Sequence, residues 1–205
     1  MDNSTPRMAS TVMPPKRICV FCGSSSRVDE RYKRAAIDLG TLIAQAGRGL
    51  VYGGGKVGLM GLLADAALSA GGEVIGVIPE FLRELEVGHG AVTELVVTDS
   101  MHARKREMYE RSDAFVTLPG GLGTLDETLE VLTWTQLHLS AKPIVLVDIA
   151  GYWRPLIDLI DHSIHQGFAR PENRMAFTVV DRVEEVLPTL VTQTVPETDL
   201  AAKWV

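Results

Sequence analysis

The chain has 205 residues, 46 % of them apolar and 22 % charged, with twenty basic against twenty-six acidic side chains and a net charge of −6. This balance fits one soluble globular domain that buries about 70 % of its unfolded surface without disulfide or metal staples. It excludes a nucleic-acid partner held by a broad basic face, and no run of ~18 apolar residues is present to span a membrane.

Residues 1–16 are rich in Ser, Thr, Pro and Met and contain no apolar run long enough for a signal peptide. They read as a disordered leader to a cytoplasmic protein. From Arg17 onward, apolar β-branched runs alternate with segments of helical period. A strand over Ile18–Phe21 leads to a helix over Asp29–Ala46, whose Tyr32, Ala35, Ala36, Leu39, Leu42, Ile43 and Ala46 repeat at i, i+3 and i+4, with Gly47 as its C-terminal cap. Next come a strand over Gly49–Tyr52, a helix over Leu59–Ala70, and strands over Glu73–Ile78 and Thr93–Val97. The series continues with a helix over Met101–Arg111, a strand over Ala114–Leu118, a helix over Thr124–Leu137, a strand over Ile144–Val147 and a helix over Tyr152–Gln166. Asp181 with Glu184 is a capping pair for a last short helix, and residues 191–205 read as a frayed tail or an interface arm. Strands that are mostly apolar throughout and alternate with helices predict an α/β domain over 17–190, built as an open doubly wound parallel sheet flanked by helices.

Cys19 and Cys22 form a C-x-x-C, but within a strand, where residues three apart point to opposite faces. They read as small buried residues rather than a redox pair, which needs a helix N-terminus. His162 and His165 have i, i+3 spacing without a third ligand nearby and read as surface.

Nineteen glycines, about 9 % against a usual ~7 %, are the compositional oddity. Nine fall in three strand-to-helix turns: Gly23 in Cys22-Gly-Ser24-Ser-Ser, then Gly53, Gly54, Gly55, Gly58 and Gly61 after the second strand, then Gly120, Gly121 and Gly123 after the strand ending at Leu118. Ligands of open parallel sheets bind at these carboxyl ends, where turn amides and helix N-termini hold anions without net positive charge. The first turn lacks the G-x-G-x-x-G of a dinucleotide site, and Gly55-Lys56 is followed by Val57, not the hydroxyl of a P-loop. No NAD or ATP is expected.

The helix opening at Asp99-Ser-Met-His-Ala-Arg104-Lys105-Arg106 crowds cations into its first two turns, where the dipole disfavours them, so an anion is expected nearby. Arg104 and Lys105 suit a phosphate or carboxylate, the alternative being a solvated basic face paired with Glu107 or Glu110. Thr124-Leu-Asp-Glu127 matches a capping box, which would make Glu127 structural. The preceding Pro119-Gly-Gly also aims this helix start at the crevice. A carboxylate and a guanidinium there suit cleavage of a glycosidic bond, the carboxylate serving an oxocarbenium-like carbon and its attacking water, the cation a departing base.

Gly53-Gly-Gly55 with Gly58-Leu-Met-Gly61, then Ser100-Met-His-x-Arg104-Lys105-x-x-Met108, then Pro119-Gly-Gly-x-Gly-Thr-x-x-Glu127, together resemble the LOG family, cytokinin riboside 5′-monophosphate phosphoribohydrolases often mislabelled lysine decarboxylases. The resemblance runs from about Arg17 to Leu190. It implies a Rossmann-like fold, a homodimer or larger homo-oligomer, and hydrolysis of N6-modified AMP to free base and ribose 5-phosphate, with a small-molecule nucleoside 5′-monophosphate as partner and no cofactor or metal. It places the catalytic pair on Arg104 and Glu127. Substrate contacts fall on Glu86, eighteen positions before Arg104, on Arg104 and Lys105, on Gly121, Leu122, Gly123, Thr124, Leu125, Asp126 and Glu127, and on Thr133. The glycine turns, with Ser24, Gly54 and Gly55, and Lys105 would hold the 5′-phosphate. Leu122 and Asp126 stand where family members often have Tyr and Glu, which bears on base preference and loop shape. A pyridoxal decarboxylase needs a Schiff-base lysine with a pyridinium partner, and Lys56 and Lys105 lack one. The rival is a non-catalytic nucleotide-binding carrier, because the related molybdenum-cofactor carrier proteins share the Pro-Gly-Gly-x-Gly-Thr turn without a hydrolytic role.

Overall fold

The computed structural model describes residues 14–83 and 88–193. Its strands are β1 (Arg17–Phe21), β2 (Gly49–Tyr52), β3 (Val74–Pro79), β4 (Glu94–Thr98), β5 (Ala114–Thr117), β6 (Ile144–Val147) and β7 (Thr178–Val180). The helices are α1 (Glu30–Gln45), α2 (Gly58–Ser69), α3 (Glu80–Arg83), α4 (Met101–Glu110), α5 (Leu122–Gln136), α6 (Arg154–His165) and α7 (Val186–Thr192). All seven strands pair in parallel in the order β4-β3-β2-β1-β5-β6-β7. Every residue of β2, β3, β5 and β6 is buried, as the unbroken apolar runs require when helices cover both faces. β4 departs from that pattern: it is an edge strand and only partly covered.

Alternate residues of the strands feed two cores. Ile18, Val20, Leu50 and Tyr52 pack with α1, α2 and α7 on one face, and Cys19, Phe21, Val51, Ile75 and Val77 with α4, α5 and α6 on the other. Cys22 belongs to the first core and Cys19 to the second, so the C-x-x-C is split across the sheet. Burial pushes both thiols up, and the charge of Glu127 adds to it, the opposite of what a redox pair needs. His162 and His165 are exposed on the last turn of α6.

Asp29 caps α1 as its charge and position suggest, accepting from the Arg31 amide. The pair expected at Asp181 and Glu184 does not form: α7 begins at Val186 without a side-chain cap, and the neighbouring Glu185 is held by Arg182 at 2.7 Å. β7, three residues long, was not anticipated. The expected leader and tail lie mostly outside the described residues. No helix among those described is long and apolar enough to cross a membrane.

α1 and α2 approach so closely that a Cβ on Gly40 would lie 2.3 Å from the Leu63 carbonyl oxygen. Alanine at a helix interior ordinarily gains up to ~1 kcal/mol over glycine, but overpacking costs about 1–3 kcal/mol. The obstruction here is backbone, so the cost wins. Gly40→Ala is expected to lower the urea midpoint, and an unchanged or raised midpoint would refute the close approach.

Candidate active site

The chain winds outward from β1 through β2, β3 and β4 in one direction and from β5 through β6 and β7 in the other. The switch point therefore lies between the carboxyl ends of β1 and β5, where such folds open a crevice. The three glycine turns meet there. The Gly23 amide donates to the Pro119 carbonyl at 3.2 Å, and the Leu59 amide to the Gly23 carbonyl at 3.0 Å. Gly58 has φ +69°, and a Cβ there would fall 2.2 Å from the Ser24 backbone, so only glycine brings the second turn against the first.

The third turn leads straight into α5, whose N-cap is Gly121 and has no side-chain hydrogen bond. The capping box expected at Thr124 and Glu127 is not formed. The helix starts at Leu122, so Thr124 is already its third residue, buried beneath Gly120, where a Cβ would be 2.1 Å from Oγ1 of Thr124. The glycines let the chain turn into the helix earlier than the box implies. Two consequences follow. The amides of Leu122, Gly123 and Thr124 have no intrahelical acceptor at a positive dipole end, and Glu127 stands one turn further along α5 on the cavity wall. The hydroxyl of Tyr152, which carried no signal in the sequence, donates to the Gly120 carbonyl at 2.7 Å and braces the turn.

Arg104 reaches the same place from α4, whose N-cap Ser100 accepts from the Ala103 amide. Arg104 is 6 % exposed and Glu127 8 %. Nε of Arg104 donates to the Val77 carbonyl at 3.1 Å, Nη2 to the Gly53 carbonyl at 2.9 Å, and Nη1 lies 3.7 Å from Oε1 of Glu127. Both backbone acceptors sit at carboxyl ends of strands or just beyond, so the fold fixes the fork before any ligand arrives. Gly53 is required for this: a Cβ would lie 2.2 Å from Nη2.

These groups line a cavity of about 180 Å³ together with Phe21, Cys22, Ser24 and Met60. Of the residues expected to bind substrate, Ser24, Arg104, Gly121, Leu122, Gly123, Thr124 and Glu127 converge on it. Leu122, where family members often have Tyr, is 86 % exposed at its mouth. The others are elsewhere. Gly54 (φ +76°) packs over Val77 and Ile78, Gly55 bridges to Gly88, and Leu125 packs against the second core. Lys105 is off the cavity wall, its Nζ 3.1 Å from both Asp126 and Glu130 of α5. Burial disfavours the Lys105 ammonium, but the hydrogen bonds and charges of Glu130 and Asp126 outweigh it and raise its pKa. A lysine so fixed is neither a free phosphate clamp nor the neutral amine a Schiff base requires. Thr133 donates to the Leu129 carbonyl at 2.7 Å beside a separate groove with Ile160 and Phe177. Glu86 lies outside the described residues.

The anion expected near the α4 cations is thus supplied from within: Glu127 for Arg104, Asp126 and Glu130 for Lys105, Glu110 for Arg106 at 2.8 Å. Chemically, the cavity offers the start of α5 together with a fixed carboxylate and cation. That arrangement can hold a phosphate and stabilise charge developing one helical turn away.

The comparisons with known proteins agree. Residues 60–190 match the family model described as possible lysine decarboxylase. The chain is 46 % identical to the cytokinin riboside 5′-monophosphate phosphoribohydrolase LOG1 of Arabidopsis thaliana, over 85 % of this chain and 82 % of that protein. It is 43 % identical to LOG5 of the same plant, over 85 % of this chain and 77 % of that protein. Among solved structures, the molybdenum cofactor carrier protein of Chlamydomonas reinhardtii superimposes with a TM-score of 0.64 at 26 % identity, covering 84 % of this chain and 94 % of that one. The identity to the hydrolases, sustained across most of both chains, outweighs the more distant likeness to the carrier, and the chain belongs to the family of cytokinin riboside 5′-monophosphate phosphoribohydrolases.

Proposed function

We propose that this protein hydrolyses the N-glycosidic bond of N6-modified adenosine 5′-monophosphates, and of AMP itself, to the free base and ribose 5-phosphate. The observation that carries the reading is the buried Arg104–Glu127 pair at 3.7 Å, facing a cavity whose other wall is the uncapped start of α5. The amides of Leu122, Gly123 and Thr124, with Ser24, take the 5′-phosphate. The sugar then extends along α5 toward Glu127. As the C1′–N9 bond breaks, its electron pair leaves with the base, and positive charge builds on C1′ opposite the Glu127 carboxylate. Water adds to C1′ and gives its proton to Glu127, while the Arg104 cation supports the negative charge on the departing base until that base is protonated. Lys105, with its two carboxylates, ties α4 to α5 and so sets the spacing of the pair rather than gripping phosphate.

The protein is proposed to act as a homodimer or larger homo-oligomer. Leu129, Leu159, Phe168 and Met175 are exposed apolar side chains, and Leu129 lines a groove with Thr133 and Ile160 that a second copy would cover. A contact of Thr133 with substrate would then be made in the cavity of a second copy. Residence in the cytoplasm is proposed from the two cysteines, both buried and free.

Purified protein given isopentenyladenosine 5′-monophosphate or AMP, without added metal or cofactor, is expected to release the base and ribose 5-phosphate on chromatography. The corresponding ribosides, lacking phosphate, are expected to be poor substrates. No turnover of either nucleotide would refute the reading, and binding without turnover would favour a carrier.

A further inference from the structure

Outside the cavity, His89, on the connection between β3 and β4, is almost fully withdrawn from water at 2 % exposed. Its Nε2 lies 2.9 Å from Oδ1 of Asp65 on α2, and its Nδ1 accepts from the Ala91 amide at 3.4 Å. Because Nδ1 is an acceptor, Nε2 carries the proton and donates to the carboxylate. Burying an imidazole is costly unless both nitrogens are satisfied, and an apolar residue would fill the same space without that cost. The reason for a histidine is therefore what it holds.

Its backbone gives the answer. The His89 amide donates to the Gly54 carbonyl at 3.0 Å, and the adjacent Gly88 forms an antiparallel bridge with Gly55. One residue earlier, the Gly53 carbonyl accepts Nη2 of Arg104 at 2.9 Å. Consecutive carbonyls of the glycine turn are thus held from opposite sides, one by His89 and one by Arg104. Three glycines in a row have almost no conformational preference of their own, so partners must impose the shape of the turn. Asp65 anchors His89 to α2, His89 anchors Gly54, and the carbonyl next to it aims the guanidinium.

We propose that His89 is a positioning residue for Arg104, acting with Asp65 through the Gly53–Gly55 turn. The proposal rests on the hydrolase reading for its kinetic consequence but not for its structural one. In His89→Ala and Asp65→Ala, kcat for AMP hydrolysis is expected to fall about tenfold or more while KM stays within about threefold, the signature of a misplaced reacting group. Asp65 is 60 % exposed, so Asp65→Ala leaves no buried charge behind and is expected to melt close to the parent protein. His89→Gln, whose amide reaches the position of Nε2, is expected to restore most of the rate. Independently of turnover, the Arg104 Nε proton, buried against the Val77 carbonyl, is expected to exchange with solvent faster in both alanine variants by NMR. Unchanged kcat with unchanged exchange would overturn the proposal, as would a rate loss that His89→Gln does not relieve. If the parent protein itself releases no base, the hydrolase reading fails and the Arg104 exchange rate alone decides the positioning role.

Discussion

Glu127→Gln is expected to leave AMP bound within about threefold and to lower kcat by about 10²- to 10⁴-fold, the range for loss of a positioned acid–base or charge-stabilising group. Glutamine keeps the shape of the side chain, and Arg104 keeps its two backbone acceptors, so the cavity survives. In the proposed mechanism, what disappears is the charge opposite C1′ and the acceptor for the proton of water. The rival structural role makes a different prediction: a capping carboxylate would cost stability and little rate. Because Gly121, not Thr124, caps α5, the melting temperature is expected to move little. Isothermal titration with AMP and single-turnover kinetics on the same sample separate the two roles, and full activity in Glu127→Gln would remove this residue from the mechanism.

Gly53→Ala is expected to be nearly as damaging. The new Cβ would lie 2.2 Å from Nη2 of Arg104 and 2.9 Å from Sδ of Met60. Both obstacles are ends of flexible side chains, so the fold yields at low cost and the guanidinium is displaced. A shift on the order of 1 Å in such a group costs about 10²-fold in rate. Arg104→Lys tests the same point from the other side, preserving the charge and losing the planar fork that reaches two carbonyls. A loss of about 10²-fold in kcat is expected for each variant, with unchanged circular dichroism for Gly53→Ala. Wild-type kcat in Gly53→Ala would show that the orientation of Arg104 is unimportant.

The sheet was legible because its strands are buried on both faces and carry almost no polar residue: β2, β3, β5 and β6 are all but announced by Gly49–Tyr52, Glu73–Ile78, Ala114–Leu118 and Ile144–Val147. β7 escaped because three residues are too few to show a period, and the partly exposed β4 was placed only to within a residue at each end. Within the site, glycines marked the turns and clustered cations marked α4, so Arg104 and the Gly121–Thr124 amides could be found. The error at Thr124 came from a local pattern that was genuine and lost to a neighbouring one: Gly120 and Gly121 allow an earlier helix start. Lys105 stands off the cavity wall because Asp126 and Glu130, one turn apart on α5, converge on it, which a sequence does not say. His89 and Tyr152 act through single hydrogen bonds to glycine carbonyls, which no spacing rule reveals.

The adjacency of β1 and β5 has a consequence for how the chain comes off the ribosome. Ile18 pairs with Ala114, 96 positions later, so the central strand of the sheet waits with one edge open while half the protein is made. That edge, Ile-Cys-Val-Phe, is apolar, with Arg17 at the start of the strand as its one charge, the profile of a segment that aggregates when left unpaired. Slow synthesis or a stall before residue 117 therefore exposes a sticky ribbon. Only the arrival of β5 closes the edge, and the same event brings the turn that follows it up against Gly23.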